Sequence, residues 1–411
     1  MNKLLAKRYK SEKRFRLLGA FSVFVGIAFL ATLLFTIFST GYTAFLSTKI
    51  ALELDLTGLT SNELNKSSIR KISKQAIAIL LQEEPSKLMK RKMEKNIFSK
   101  QSIKEIESYL KHNSEELKSK QQVWVTTSST LDQLHKGNLD LKNSALSDSL
   151  GEPLQKLYEK LVSEGKIKRK INLSFLTHGD SRAPELAGLG GALLGSFYTL
   201  LVCFLLSFPI AVSAAIYLEE FAPKNKFTSF IEININNLAA VPSIIFGLLG
   251  LVVVLGFFGV PRSTPLAGGI VLALRTLPII VIACRAAIRA VPSSIRQAAM
   301  AIGASEMQVV LHHVLPLSLP GTLTGAIIGL SQALGETAPL LLIGMVAFIV
   351  DLPATPLDAS STLPVQIYLW AESSERGFVE KTSAAIMVIL TFLIAMNSLA
   401  VMLRNRYEKR W

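Results

Sequence analysis

Long apolar runs alternate with short charged interludes along this chain, and one long polar stretch interrupts the pattern near its start. Six runs, at 17–38, 186–217, 235–258, 266–288, 322–350 and 382–403, each reach the roughly 20 residues of helix that cross about 30 Å of hydrocarbon. In lipid, backbone N–H and C=O groups must be satisfied within the segment itself, so the runs predict helices and an all-α membrane part. Lys3, Lys7, Arg8, Lys10, Lys13, Arg14 and Arg16 precede the first run, as they would in a secretory signal. Its apolar core exceeds the roughly 7–15 residues of such a signal and no small-residue cleavage site follows, so it reads as a retained anchor.

The polar stretch between the first two runs, residues 40–185, is long enough for a small folded domain. Leu64, Ile69, Ile72, Ala76, Ile77 and Leu80 recur at near-helical spacing behind a cap-like Ser61-Asn62-Glu63, which predicts a helix over 61–82. Residues 102–117 and 153–162 also read as helices, and 123–127 and 171–175 as short strands. Gly, Asn, Asp and Ser gather at 136–148 and 178–184, which read as linkers. His112, His135 and His178 are scattered with no Cys or Glu constellation, and a solvated α/β cap is favoured over an independent site.

Composition narrows the class. Half of the residues are hydrophobic and the mean hydropathy is +0.41, too apolar for a soluble protein of 411 residues. A net charge of +14 invites a nucleic-acid partner, which the placement of the charge argues against. The excess sits beside the runs, at the N-terminus, at Lys224 and Lys226, at Arg285, Arg289 and Arg296, and at Arg404, Arg406, Lys409 and Arg410. With the N-terminus inside, all of these face the cytoplasm, as positive-inside topology requires, and the polar stretch falls outside. Cys203 and Cys284 both lie in apolar runs and read as packing residues, not as a disulfide or thiolate metal site. His312 and His313 lack a carboxylate or Cys partner at metal spacing. No GxxxxGK[ST] occurs, so ATP hydrolysis by that route belongs to another chain.

The interlude at 295–321 carries Gln297-Ala298-Ala299, then Gly303, then Leu315-Pro316. It resembles the EAA loop of ABC importer permeases, with Gln297 in place of the Glu and His313 in place of an Ile. Ala298, Ala299 and Gly303 leave one helix face nearly bare, which suits close approach by a partner. The resemblance narrows through IYLEEFAPKN at 216–225, NNLAAVPSIIFGLLG at 236–250, LPLSLPGTLTG at 315–325, GETAPLL at 335–341 and LPVQIYLW at 363–370. From residue 186 onward the chain resembles the A-type permease of phosphate-specific ABC importers (PstA), and the polar stretch looks like an insertion found in one branch of that family.

The resemblance implies a type I, MetI-like permease core of about six transmembrane helices, in an all-α polytopic membrane protein with a small α/β periplasmic inserted domain. The expected divisions are 1–40, cytoplasmic N-terminus and anchor; 41–185, inserted domain; and 186–411, permease core with the EAA-like loop at 290–320. By the same resemblance the chain sits in the inner membrane with both termini in the cytoplasm. It pairs with a homologous second permease, a dimer of ATPase subunits and a periplasmic phosphate-binding protein. Lipid surrounds it, nucleic acid is no partner, and it binds no cofactor, ATP and Mg being held by the ATPase. The function implied is permeation of phosphate, with ATP hydrolysis coupled through the loop residues Arg296, Gln297, Ala298, Ala299, Gly303, Leu315 and Pro316. Arg296 has two readings, an ATPase contact or a plain cytoplasmic charge. A permease for sulfate or molybdate is the alternative within transport, and a membrane sensor the alternative outside it.

Arg275 and Glu336 stand inside apolar runs, where each would cost about 2.5–3.5 kcal/mol at a helix centre unless paired. Many phosphate permeases carry an Arg at the position of Gln332. Counting about 1.5 Å per residue brings Arg275 and Gln332 to nearly the same depth. Arg275 is therefore expected to supply that cation and to pair with Glu336, either on the translocation pathway or as a pair that only sets helix register. Asn236, Asn237 and Ser243 fall on one predicted span, as pathway lining or as interhelical hydrogen-bond glue. Pro242 and Pro278 sit mid-span and are expected to kink their helices. Arg285 and Arg289 are expected to snorkel at a span end, and Tyr368 and Trp370 to lie in an interfacial belt.

Overall fold

The computed structural model describes residues 3–56, 66–81, 87–112, 120–141 and 150–407. The first apolar run belongs to a single 39-residue helix, α1 (Lys3–Gly41). At about 1.5 Å per residue it extends well beyond the hydrocarbon thickness, so its basic first turns project past the membrane. Strand β1 (Leu46–Asp55) follows directly and is the centre of a three-stranded antiparallel sheet. Its neighbours are β2 (Lys120–Thr126) and β3 (Ile167–Ile171), registered with Ala51 opposite Trp124 and Lys49 opposite Lys168.

Alternation along β1 puts Ile50, Leu52 and Leu54 on one buried face. Against that face pack α2 (Lys66–Leu80), α3 (Lys87–Ile97), α4 (Ser102–His112), α5 (Ser129–Lys136) and α6 (Glu152–Ser163), which join it in one apolar core. In α2 the buried positions are Ile69, Ile72, Ala76 and Ile77, the spacing that makes one helix face. The chain then passes through α7 (Ser174–Thr177) into the second long helix, α8 (Gly190–Ile216).

Strand β1 and helices α3 and α5 were not anticipated, and the strand expected at 171–175 ends at Ile171. Helix α5 occupies the start of the expected 136–148 linker, while the Ser61-Asn62-Glu63 cap, Leu64, and residues 113–117 and 142–148 lie outside the described residues.

Five helices are long and apolar enough to cross a membrane among the described residues, or six if one bent pair is a single span. The bent pair is α9 (Lys226–Ala239) and α10 (Ser243–Leu249), which continues as a π-helical segment to Phe257. Its two arms meet at 102°, so the run at 235–258 is not one continuous helix. Pro242 is the cause: it sits at the N-cap of α10 with extended backbone, where it stops one helix and starts the next. Helix α11 (Pro265–Arg289), by contrast, runs unbroken through Pro278.

Beyond α11 come α12 (Ser293–Ala301), α13 (Glu306–Val309), a π-helical turn at Val310–Val314, and α14 (Leu315–Gly335). The run at 322–350 stops at Gly335, then resumes as the short α15 (Ala338–Leu342). Helices α16 (Leu363–Ala371) and α17 (Gly377–Tyr407) complete the chain, with α17 packed against α1.

Helices α8, α11 and α14 form the heart of the bundle. Gly321, Gly325 and Gly329 recur every four residues on α14 and face Ala287, Ala283 and Thr276 of α11. A Cβ at Gly325 would stand 2.3 Å from the Ala283 Cβ, so the absence of side chains is what lets the backbones approach. Trp370 is a core residue and not an interfacial one. It is 3% exposed, stacks on Phe175 and donates from its indole N–H to Asp180 at 3.0 Å. Tyr368 is exposed, with its hydroxyl on Glu372.

Candidate functional site

Arg275 lies ten residues into the 25-residue α11, near the middle of a helix long and apolar enough to cross a membrane. Glu336 reaches it from the opposite helix because α14 ends at Gly335. Glu336 takes an extended C-cap conformation, and Pro339 occupies the first turn of α15. The break turns the Glu336 carboxylate toward α11, where it meets the Arg275 Nη2 at 2.6 Å. Both side chains are largely but not wholly covered, at 21% and 18% exposure. A second guanidinium nitrogen, Nη1, is buried and has no hydrogen-bond partner among the described residues. Arg275 thus holds its charge with one carboxylate and keeps donor capacity in reserve, which is the chemistry that binds an oxyanion.

The structure does not gather the remaining expected lining residues around this pair as one span. Gln332 is exposed, one turn before the break. Asn236 and Asn237 are exposed on α9, whereas Ser243 opens α10 on the far side of the bend. The α10 arm packs against α15, with a Cβ at Gly247 only 2.7 Å from the Pro339 Cα, so the two broken elements support each other.

The loop at the other end of the bundle is a pair of short helices, α12 and α13, joined by a tight turn. Gly303 makes that turn with φ +91°, and a Cβ there would meet nothing within 4 Å. Its glycine is therefore required by backbone conformation and not by a close neighbour. Ser305 accepts from Gln308 N and the Gln308 side chain accepts from Ser305 N, a capping box that starts α13. Gln297 and Ala298 are exposed on α12, but Ala299 is buried against the bundle, so the expected bare face of small residues is only partly present. Exposed Met300, Ile302, Met307 and Leu311 supply the apolar surface of the loop instead. Leu315 and Pro316 follow the π-helical turn within one helical run from Glu306 to Gly335, so Pro316, which has no N–H to donate, sits beside the irregular turn. His312 and His313 sit exposed in the π-helical turn, and no group of metal-binding side chains exists among the described residues.

Arg285, Arg289 and Arg296 do not behave as free basic charges. Glu219 and Glu220 lie side by side in a π-helical turn, Tyr217–Phe221, at the end of α8. Glu219 accepts from Arg285 Nε at 2.5 Å and Arg289 Nε at 2.7 Å, and Arg285 also reaches Glu232 of α9 at 2.6 Å. Glu220 holds Arg296 of α12 at 2.7 Å. Arg296 additionally donates to the carbonyls of Ile288 and Val291, where α11 ends. Arg285 is buried, so the expected snorkelling is replaced by an internal ion pair. The signal in the sequence was the pair of adjacent acids closing an apolar run, opposite arginines spaced four residues apart.

A second polar cluster ties the sheet module to the bundle. Lys136 of α5 bonds Asp132 at 2.7 Å and Glu380 of α17 at 2.9 Å, all three being buried. Thr43 donates to Glu380 at 2.8 Å, and Lys381 lies over the Phe175 ring. Glu185 lines the same crevice, and burial pushes its carboxyl above the usual carboxylate range. Charged residues in the first turn of an otherwise apolar helix, Glu380-Lys381, were the hint in the sequence.

Comparison with known proteins matches two stretches. The family described as "Binding-protein-dependent transport system inner membrane component" matches residues 207–409, and a domain of unknown function (DUF3333) matches residues 2–145. A probable ABC transporter permease protein of Bacillus subtilis, YqgI, is 33% identical over 172 residues, which are 42% of this chain and 58% of that protein. The phosphate transport system permease protein PstA of Haemophilus influenzae is 30% identical over 227 residues, 55% of this chain and 79% of that protein. Among solved structures, a chain of the inward-facing MetNI methionine ABC transporter superposes with a TM-score of 0.45 at 18% identity, over 54% of this chain and 98% of that one.

Proposed function

Because the chain belongs to the family of binding-protein-dependent transport system inner-membrane components, we propose that it is the permease subunit of an ATP-driven phosphate importer. The observation that supports an anionic cargo is the Arg275–Glu336 pair at mid-membrane depth, whose guanidinium retains a buried nitrogen without a partner among the described residues. Phosphate offers acceptor oxygens that a guanidinium binds with charge assistance, and Glu336 keeps the cation neutralised while no anion is present. One arginine held this way binds weakly, which suits a pathway that must also release its cargo. Gln332, Ser243, Asn236 and Asn237 are further polar groups of the route in this reading, contributed from separate elements and not gathered around the pair, the exposed ones being free to face a second, homologous permease.

In this reading both termini are cytoplasmic and residues 41–185 form a periplasmic inserted domain, where a phosphate-binding protein delivers the cargo. The α12–α13 loop receives a separate ATPase subunit, one of a pair, which holds ATP and Mg. Exposed Met300, Ile302, Met307 and Leu311 provide the apolar contact, flanked by Gln297 and Ala298. Gly303, Leu315 and Pro316 shape the loop, and Ala299 and Arg296 hold it on the bundle.

Uptake of labelled phosphate in cells lacking this gene, with sulfate run in parallel, tests the reading. Selective loss of phosphate uptake, restored by the wild-type chain and not by Arg275→Gln, is the expected result. Intact phosphate uptake with loss of sulfate uptake would move the assignment to another oxyanion.

A further inference from the structure

The permease reading leaves open how a displacement at the α12–α13 loop reaches Arg275. We propose that Glu219 and Glu220 form a two-armed link that makes the loop, the end of α8 and helix α11 move as one. The proposal rests on the permease reading and specifies its coupling.

The geometry argues for a link and not for a loose collection of surface charges. The two carboxylates are consecutive residues in one π-helical turn, so their backbone cannot separate them. Insertions of this kind in a helix recur at functional positions. Each arm grips a different element: Glu219 takes Arg285 and Arg289 on α11, and Glu220 takes Arg296 on α12. Glu219 and Glu220 are 10% and 13% exposed and Arg285 is 9% exposed, so the Glu219–Arg285 pair is poorly screened by water, while Arg289 is 60% exposed and its pair with Glu219 is the weaker one. Glu232 balances the count, giving three carboxylates to three guanidiniums.

Arg296 adds the stiffening element. Besides Glu220 it donates to Ile288 O at 2.9 Å and Val291 O at 2.6 Å, closing the C-terminal end of α11 onto the start of α12. From Arg285 the continuous helix α11 leads back ten residues to Arg275, about 15 Å along its axis. A push on α12 is thus delivered, across the break at Pro292 that the Arg296 bonds span, to the helix that carries the mid-membrane cation. Glu219 and Glu220 are positioning residues in this scheme, since neither reaches the cargo nor the exposed surface of the loop.

The test uses the full complex of permeases and ATPases in proteoliposomes, with Glu220→Gln and Glu220→Asp compared. Phosphate moved per ATP hydrolysed should fall about tenfold in Glu220→Gln, within the usual span of coupling free energies, while ATPase retention and basal hydrolysis stay at wild-type levels. Glu220→Asp, which keeps the charge, should retain most of the ratio. The proposal is overturned if Glu220→Gln keeps the wild-type ratio, or if both variants lose retained ATPase and uptake in parallel, as a purely structural role demands. Spin labels at the exposed Leu274, beside Arg275, and at Phe29 on α1 give a readout that needs no cargo. Their ATP-driven distance change should occur in wild type and vanish in Glu220→Gln; the same change in both would also overturn the link. A wild-type complex that hydrolyses ATP and shows this change but moves no phosphate would sink the phosphate reading and leave the link standing.

Discussion

Lys136 and Glu380 are separated by 244 positions in the chain and meet at 2.9 Å, both buried to 2% side-chain exposure, where the sheet module sits on the last membrane helix. Two charges in such a place are held by each other and by Asp132 and Thr43, so the module is keyed to α17 in one orientation. Removing one partner strands the other. Lys136→Met is expected to cost about 3–5 kcal/mol at this joint, and pairing it with Glu380→Gln should recover part of the loss. Limited proteolysis of the purified protein checks this; equal resistance of Lys136→Met and wild type would contradict it.

Arg275 and Glu336 should each be sensitive to substitution alone. Neutralising Glu336 leaves a positive charge at mid-membrane, and neutralising Arg275 leaves a negative one, each costing about 2.5–3.5 kcal/mol on insertion scales. Arg275→Gln should abolish uptake even where the complex assembles, whereas the double variant Arg275→Gln/Glu336→Gln should regain assembly but not uptake. Uptake in the double variant would mean that the pair serves helix register alone.

Close packing of α14 on α11 gives a prediction with its own control. Gly325→Leu places a side chain where a Cβ alone already stands 2.3 Å from Ala283, with an expected cost of about 1–3 kcal/mol or more. Gly19→Leu on α1, where nothing lies within 4 Å, should not destabilise and, by removing a mid-helix glycine, should be neutral or slightly stabilising. Denaturant titration of the two purified variants compares them directly.

Gly303 adopts φ +91°, so a β-branched residue is strained there whatever the available space. Gly303→Val should cost about 1–2 kcal/mol of loop stability, and Gly303→Asn much less, because Asn tolerates the left-handed region. Co-purification of the ATPase subunit is the readout, with Val weakening it and Asn nearly sparing it.

His135 gives the sheet module a pH dependence of known sign. Its ring packs edge-on to Tyr158, and burial, with the Arg169 guanidinium nearby, holds its pKa below the ordinary 6.5. The folded state therefore favours neutral imidazole. The stability this contributes is complete above 6.5 and declines as pH falls through the lowered value. Thermal melts of wild type from pH 7.5 to 5 should show the decline, and His135→Asn should flatten it.

Much of the plan was legible in the residues. Apolar run length announced the membrane helices, because the bilayer allows few other solutions for a long stretch without charge. The loop motif announced α12 and α13 through the alanine pair and Gly303, and Arg275 and Glu336 were conspicuous because ionisable groups are rare inside such runs. Where the helices break was not legible from hydropathy, which counts the apolar residues of α9, α10, α14 and α15 alike. The breaks at Pro242 and Gly335 are decided by backbone geometry and by the packing of α10 on α15. Nor was the fate of the charges near the span ends legible: a lone Arg285 reads as a snorkelling residue until Glu219 and Glu232 arrive from two other helices.

By itself, the sequence determined the class of solvent this chain folds in, its helical membrane part, the polar module and the pair of residues that stand out in the lipid. Those properties depend on local composition and period, which every short window carries. Only the tertiary structure decided that β1 is the central strand, that Lys136 finds Glu380, that Glu220 finds Arg296, and that a break at Gly335 turns Glu336 toward Arg275. Each of these joins residues far apart in the chain. A buried charge specifies that it needs a partner, but only the packing of the helices determines which one it meets.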